Sequence, residues 1–574
     1  MSFREWAKNK VRKVIGVNPL VAAMKEHIDR RTAELMQHSR FRATELLAAV
    51  ADDATAFADG LFRNRHVLQQ QARELISRCG ELVGKEGAHR AIREEVFPRL
   101  AWILAAPDFT TLELPLQRSL LQAVAFLLIT TGSRKSPLAA ELLASVFDAW
   151  QDREDTNLHW LMEMYDSLYG LYWTAAGDLA EMMSFDRQVV RKFAACVRQR
   201  FDGPPPWSGR APARRPLRVG YLCHYGDLAP GNAVTPIVSA LVKTHCQGAV
   251  STGQVYLYTV QWYHEEFARS FAGLPVTVRP FAVSRDTAEA ETLRQAVLAD
   301  QIDVLLTDIA SAAATYLFES RTAPLQLWLE MGYPCWSIAH LDWAFLGHKS
   351  HRDYYGIDRH KCSTIRFGQE RTSMERAVSA EEIAAVRAKY PAGAKLLGTW
   401  CRLSKITPEY LALVERILAR NPAAHLILAG SGDPELIDRF LLRSPLAGRI
   451  TFHPHSIDPN VYVRIIDAFL DTFPFCGGNA CRIVGLFGKP VVSMWTPEWD
   501  LLMAESRDAA LLARNADEYL ASATRLLCDE SFYRQRSQVA RELSQQETEV
   551  TGALEEILRV IGNLWPQSAA RAAA

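Results

Sequence analysis

From Leu217 to Met494 the chain alternates short β-rich runs with helical segments, in two successive series. The first series holds the runs Leu217–Leu222, Gln254–Val260, Val276–Ala282, Asp303–Thr307 and Leu325–Leu329, with helices such as Thr235–Lys243 and Ala288–Ala299 between them. The second holds Lys395–Cys401, His425–Ala429, Arg449–Phe452, Ile466–Asp471 and Pro490–Met494, separated by the helices Pro408–Asn421, Pro434–Leu442, Ala480–Phe487 and Ala516–Cys528. Strands joined by helical crossovers pair in parallel, so this alternation predicts two doubly wound α/β sheets. Ligands of such sheets bind beyond the carboxyl ends of the strands. Two Rossmann-like halves facing each other therefore predict a ligand in the cleft between them. The tail Gly552–Leu564 reads as one more amphipathic helix, placed to cross back to the first half.

Residues 1–202 carry a different pattern. Ala43–Phe62, Leu68–Val83, Leu112–Thr131 and Leu138–Trp150 place apolar residues at three- and four-residue spacing, which predicts an all-α domain. No self-similarity near 34 residues supports a helical repeat array. Four prolines and two glycines in Phe201–Arg215 stop the helical pattern and read as a linker. The expected division is an all-α domain over 1–202, a linker over 203–215, a first Rossmann-like domain over 216–375, and a second over 376–574 that includes the C-terminal helix. A chain of 574 residues exceeds what one hydrophobic core organises.

Lys plus Arg and Asp plus Glu number 65 each, which gives no global attraction to nucleic acid or to a membrane surface. No run of about 18 apolar residues appears, so no integral membrane segment is expected. The basic stretch Phe3–Ile15 reads either as a solvated helix or as one lying on an anionic surface. Ten scattered cysteines without a CxxC pair fit reduced thiols and a cytoplasmic location. His453 and His455, and the spread histidines 348, 351 and 360, lack Cys or carboxylate partners at metal-ligand spacing. Neither a metal nor a cofactor is expected.

The segment Asp471-Thr-Phe-Pro-Phe-Cys-Gly-Gly-Asn-Ala-Cys-Arg482 is the clearest candidate site. An apolar strand ends in a Gly-rich turn that opens a helix. Free N–H groups and a partial positive charge at a helix N-terminus suit an anion, so Gly477, Gly478, Asn479 and Ala480 are candidates to cradle a diphosphate. The same pattern also makes ordinary strand–turn–helix junctions. Lys405 follows the strand Lys395–Cys401 and can serve as a point charge on phosphate, with Arg402 beside it, or be simply solvated. The turn Gly430-Ser-Gly-Asp433 ends another strand and is weak evidence alone. In the first half, His224 and Asp227 lie in the loop after the first strand, where a general base would have to reach an acceptor. Gly332, Tyr333 and Pro334 close a strand, and Trp336 and His340 follow. These five are candidates for an acceptor or sugar pocket, and His455 for the nucleotide side.

Several segments resemble one family in order and spacing. They are RVGYLCHYGD, LFESRTAPLQLWLEMGYP (317–334), WCRLSKITPEYL, and the run from FHPHSIDP through DTFPFCGGNACRIVGLFGKPVV. The family holds the O-GlcNAc transferases and the bacterial adhesin N-glycosyltransferases, and the resemblance spans residues 215–545. An N-terminal helical domain without repeats is more similar to the bacterial branch. The resemblance implies a GT-B fold and an inverting, metal-independent glycosyltransferase. It also implies that Lys405 holds the donor diphosphate, and that Asn479 and its helix N-terminus contact the phosphates. Two positions depart from the family. Ile483 stands where an Asp usually grips the ribose hydroxyls, and Asn232-Ala233 occupies the place of an active-site His, with His224 nearby but out of register.

The functional expectation is transfer of a hexose from a nucleotide-diphosphate sugar, UDP-hexose, to a protein side chain. Catalysis would rest on leaving-group stabilisation by Lys405 and the 477–480 turn. The expected acceptor is a bacterial surface or secreted protein before its export. Two alternatives stay open: a non-catalytic nucleotide-sugar-binding or assembly module, and a glycan-chain transferase or epimerase on the same fold.

Overall fold

A computed structural model describes residues 65–82, 185–208 and, with short gaps, 216–573, together with scattered positions between 96 and 165. The chain divides into two compact units, Met1–Gly177 and Asp178–Ala574. In the first unit the helix Arg65–Leu82 corresponds to the expected Leu68–Val83. It buries Ala72, Leu75 and Cys79, at the three- and four-residue spacing that makes one apolar face. The expected helices Ala43–Phe62, Leu112–Thr131 and Leu138–Trp150, and the segment Phe3–Ile15, lie wholly or largely outside the described residues.

The second unit begins before the predicted linker. The helix Arg191–Arg200 falls within it and buries Phe193, Ala194 and Val197. Its Arg198 pairs at 2.9 Å with Glu319, whose side chain is wholly buried at the end of the helix Ala312–Glu319. A buried carboxylate needs a cation, and that need ties this helix to the α/β unit rather than to the preceding helices.

Seven parallel strands form the first sheet: β1 Val219–Cys223, β2 Val255–Thr259, β3 Val276–Pro280, β4 Val304–Thr307, β5 Leu325–Leu329, β6 Trp343–Leu346 and β7 Cys362–Thr364. Their order is β3-β2-β1-β4-β5-β6-β7. The second sheet contains β8 Lys395–Trp400, β9 Ala424–Ala429, β10 Ile450–His453, β11 Ala468–Leu470, β12 Val491–Met494 and β13 Leu512–Ala513, ordered β10-β9-β8-β11-β12-β13. Every residue of β1, β2, β4, β5, β9 and β11 is buried, as parallel strands covered on both faces must be. In each sheet the strand order reverses once. The reversals fall between β1 and β4 and between β8 and β11, and they are the topological switch points where such sheets take ligands.

Helices clothe both sheets. Against the second sheet, the helix Pro408–Arg420 buries Tyr410, Leu411, Leu413, Val414, Ile417 and Leu418. Thr407 caps it by accepting the Tyr410 N–H at 3.2 Å, and Pro408 fills the first turn, where no N–H is needed. The long helix Thr551–Ala573 returns to the first sheet. Its Ala553, Leu554, Ile557, Val560 and Ile561 join the core formed by Val219, Tyr221, Leu327 and Phe345, which is the crossing that the tail's periodicity predicts.

Candidate functional site

The carboxyl edge of the second sheet is built from four turns that bond to one another. After β8 the chain makes a tight turn, Leu403–Lys405, in which the Lys405 N–H donates to the Arg402 carbonyl at 2.9 Å. The Leu403 N–H donates to the Ser431 carbonyl at 2.9 Å, and the Gly430 N–H to the His453 carbonyl at 3.1 Å. Ser431 Oγ and Ser456 Oγ lie 2.9 Å apart. A Cβ at Gly430 would overlap the Cys401 carbonyl oxygen, so the turn after β9 can pack against the turn after β8 only as glycine. Asp433, the last residue of that expected motif, lies outside the described residues.

The turn after β11 completes the edge at the switch point. Lys405 Nζ donates to the Cys476 carbonyl at 2.5 Å. Asp471, immediately after β11, is wholly buried. Its Oδ1 accepts the Gly477 N–H at 2.5 Å, and its Oδ2 accepts from Ser493 Oγ at 2.9 Å and Arg507 Nη2 at 3.1 Å. The Tyr519 hydroxyl donates to the Asp471 carbonyl at 2.8 Å. A Cβ at Gly477 would stand 2.9 Å from Asp471 Oδ1 and 3.0 Å from Cys481 Sγ.

The helix Gly478–Leu486 starts there, with Gly477 at its cap position. The Gly477 N–H is already committed to Asp471, and the Ala480 N–H donates to the Gly477 carbonyl at 2.8 Å. Of the four residues expected to form an anion cradle, Gly478 and Asn479 therefore keep first-turn N–H groups without acceptors inside the helix. The side-chain oxygen of Asn479 is buried without a hydrogen-bond partner. Ile483 is buried in the same helix. Cys481 is enclosed behind the turn, and burial pushes its thiol well above the usual range.

Arg402 and His455 are exposed on this edge. The His455 ring lies 5.7 Å from that of His453, whose Nε2 is 3.0 Å from the Tyr390 hydroxyl. Burial, then the neighbouring His455 and Lys389, lowers the pKa of His453.

At the first sheet's switch point His224 follows β1 and Asp308 follows β4. Both are buried, and the His224 N–H donates to Asp308 Oδ1 at 3.3 Å. Asp227, Gly332, Tyr333 and Pro334, and the pair Asn232-Ala233, lie outside the described residues. The structure buries Trp336 and carries His340 away from the carboxyl edge. Trp336 is buried between Phe318 and Trp328, with ring centroids at 5.0 and 5.7 Å, and its Nε1 donates to Thr315 Oγ1 at 2.9 Å. His340 Nδ1 lies 3.0 Å from the Glu319 carbonyl, and the His340 carbonyl accepts from Gln326 Nε2 at 2.8 Å. Gln326 is the second residue of β5, so His340 stands at the amino end of that strand, opposite the edge where a sugar pocket was expected. Burial and the Arg321 charge lower its pKa, against the opposing pull of Glu319.

Asp471, the first residue of the candidate segment, is joined at the two switch points by Ser493, Arg507 and Asp308, which lie outside the sequence candidates. An acid ending an apolar strand before a Gly pair is a readable signal for Asp471. Arg507 carries none, being 36 residues away in the chain. Among the described residues no group of three or more His, Cys, Asp or Glu is arranged to hold a metal ion, and no helix is long and apolar enough to cross a membrane.

No protein-family model and no curated protein sequence matches the chain. Solved structures do. A mutant of the Thermobaculum terrenum O-GlcNAc transferase is similar over 90% of this chain and 99% of its own, at 18% identity and a TM-score of 0.52. Anabaena HepE in complex with UDP and glucose is 13% identical over 61% of this chain and 100% of its own, with a TM-score of 0.47. A glycosyltransferase from Rickettsia africae is 10% identical over 61% and 99%, with a TM-score of 0.45. Together with the two all-parallel sheets and their switch points, the first of these likenesses identifies the architecture as GT-B, two Rossmann-like domains in one chain.

Proposed function

We propose that this protein is an inverting, metal-independent glycosyltransferase that moves a hexose from a nucleoside-diphosphate sugar, UDP-hexose, to a protein side chain. One observation carries the reading: at the β8/β11 switch point the Lys405 ammonium meets the turn that opens the helix Gly478–Leu486. Among the described residues no carboxylate pairs with Lys405. Its partner is a neutral carbonyl, which takes one of the three ammonium donors and leaves the others to form charge-assisted bonds with phosphate oxygens. The leaving diphosphate gains negative charge as the glycosidic bond to phosphorus-bound oxygen breaks. A fixed cation and a helix N-terminus stabilise that charge more in the transition state than in the ground state.

Arg402 and His455, exposed on the same edge, are assigned to the nucleotide. Ile483 supplies no hydrogen bond, so the ribose is held by other groups. On the first half, His224 and Asp227 are assigned to the acceptor side, together with Gly332, Tyr333 and Pro334. The protein acceptor is what the resemblance of the sequence segments to the O-GlcNAc transferase and adhesin N-glycosyltransferase family implies. A cytoplasmic enzyme of this kind would modify a surface or secreted protein before its export.

The test is calorimetric titration with a panel of UDP-, GDP- and dTDP-sugars, followed by mass spectrometry of proteins co-expressed with the enzyme. Saturable binding of a UDP-sugar and one hexose added per acceptor site are expected. A chain that binds no nucleotide-sugar would be an assembly module, and the proposal would fall.

A further inference from the structure

We infer that Asp471 is a positioning residue that acts on Lys405 through a single peptide group. The Cys476 carbonyl and the Gly477 N–H belong to the same peptide. Lys405 Nζ holds the carbonyl at 2.5 Å, and Asp471 Oδ1 holds the N–H at 2.5 Å. This peptide is not among the cis bonds of the chain, so its C=O and N–H point in opposite directions. Asp471 draws the N–H inward, and the carbonyl is thereby turned outward to meet the ammonium. The inference rests on the donor-diphosphate reading for its functional consequence, and on geometry alone for the grip itself.

A buried anion behind a turn that takes a diphosphate is a liability unless its charge is cancelled. Arg507 cancels it. The Arg507 side chain is 6% exposed and that of Asp471 fully buried, and they pair at 3.1 Å. Ser493 and the Tyr519 hydroxyl fix the carboxylate and the backbone of the same residue. Asp471 is thus held from four directions, and Gly477 lies against it with no room for a Cβ. The carboxylate cannot move without turning the peptide, and the peptide cannot turn without releasing Lys405. With the Asp471 charge cancelled, the Lys405 charge and the helix N-terminus face the site unopposed by it.

The experiment is a double-mutant cycle read by UDP affinity, paired with hydrogen exchange of the 472–482 segment in ligand-free protein. Asp471→Ala is expected to speed exchange at Gly477 by about tenfold or more, and to weaken UDP binding by about tenfold, as the loss of an oriented charge-assisted bond does. In the Lys405→Ala background the same change should weaken UDP binding no further, because Asp471 acts through Lys405. Losses that simply add would overturn the inference. Should Asp471→Ala fail to fold, Asp471→Asn with Arg507→Met keeps an acceptor for the Gly477 N–H and leaves the buried unit neutral. That variant is expected to bind UDP within about threefold of the parent. Binding as weak as Lys405→Ala would show that the acceptor bond is not what matters, and would also overturn the inference. If exchange at Gly477 depends on Asp471 while the parent protein binds no UDP, the grip stands and the donor reading fails.

Discussion

Lys405 and Asp471 hold opposite ends of the peptide group between Cys476 and Gly477. One residue is placed by the turn after β8 and the other by the end of β11, so the switch point is closed by a bond between two strands' loops rather than within either. Lys405 is therefore presented at a defined point, held through one ammonium donor by a neutral carbonyl and paired with no carboxylate among the described residues.

Replacing Lys405 with alanine should cost about 2 kcal/mol of UDP binding, some thirtyfold in Kd, since a hydrogen bond to a charged group is worth about that much. Turnover should fall further, because the same charge stabilises the departing diphosphate. Lys405→Arg keeps the charge but spreads it over a planar fork, and intermediate values are expected. Calorimetry, steady-state turnover and a thermal melt on the same samples check this, the melt being unchanged if the effect is local.

Gly430 is a stability determinant. An alanine Cβ would overlap the Cys401 carbonyl, and backbone must shift to make room. Gly430→Ala is expected to lose about 2–3 kcal/mol in urea denaturation, in the range for overpacking. Lys405 lies four residues beyond Cys401 on the displaced turn, so weaker UDP binding should accompany the loss. A variant as stable as the parent would show that the turn is looser than the hydrogen bonds across it imply.

His245 makes the protein acid-sensitive. Its ring is buried on the helix Thr235–Gln247, with Nδ1 2.9 Å from the Tyr221 hydroxyl, and burial lowers its pKa to about 4. The unfolded chain protonates the same residue near pH 6.5. The neutral ring's contribution is thus complete above about pH 6.5 and drains away as pH falls toward 4, by about 3 kcal/mol in all. Stability measured at pH 7.5 and 4.5 should show this loss in the parent and a flatter dependence in His245→Gln.

Glu319 fastens the helix Arg191–Arg200 to the α/β unit. Its Oε1 accepts from Arg198 Nη1 at 2.9 Å and from the Ala339 N–H at 2.7 Å. Glu319→Ala should destabilise the unit by about 2 kcal/mol, below the range for a fully buried pair because Arg198 is partly exposed. Limited proteolysis between residues 198 and 208 reports on it directly, and faster cleavage is expected.

The longer strands and most crossover helices were legible because their periodicity is strong. Leu325–Leu329 and Ala516–Cys528 lie where the pattern puts them. Strands β6, β7 and β13 escaped, although β4, β10 and β11 are no longer than β6 and were read; β7 is Cys-Ser-Thr and β13 has two residues, so neither makes an apolar run. The helix Ala312–Glu319 escaped as well, being buried at every position and so without a polar face. At the site, Lys405 and the 477–480 turn could be read singly, each as a residue after a strand. Their meeting could not, because it depends on β8 and β11 being neighbours. His340 misled for the converse reason: it follows a strand in sequence, yet the loop carries it back to the strand's beginning.

The helix Thr551–Ala573 has a consequence for how the molecule is made. Val550, Ala553, Leu554, Ile557, Val560 and Ile561 complete the core around β1 and β5, although the second sheet lies between them and that core in the chain. A ribosome delivers β1 to β7 first, and delivers the residues that seal them only after β8 to β13. Domains of a growing chain fold as units once their residues have emerged. The second half can therefore finish folding while the first still has an open apolar face, and the half that is synthesised first is the last to close.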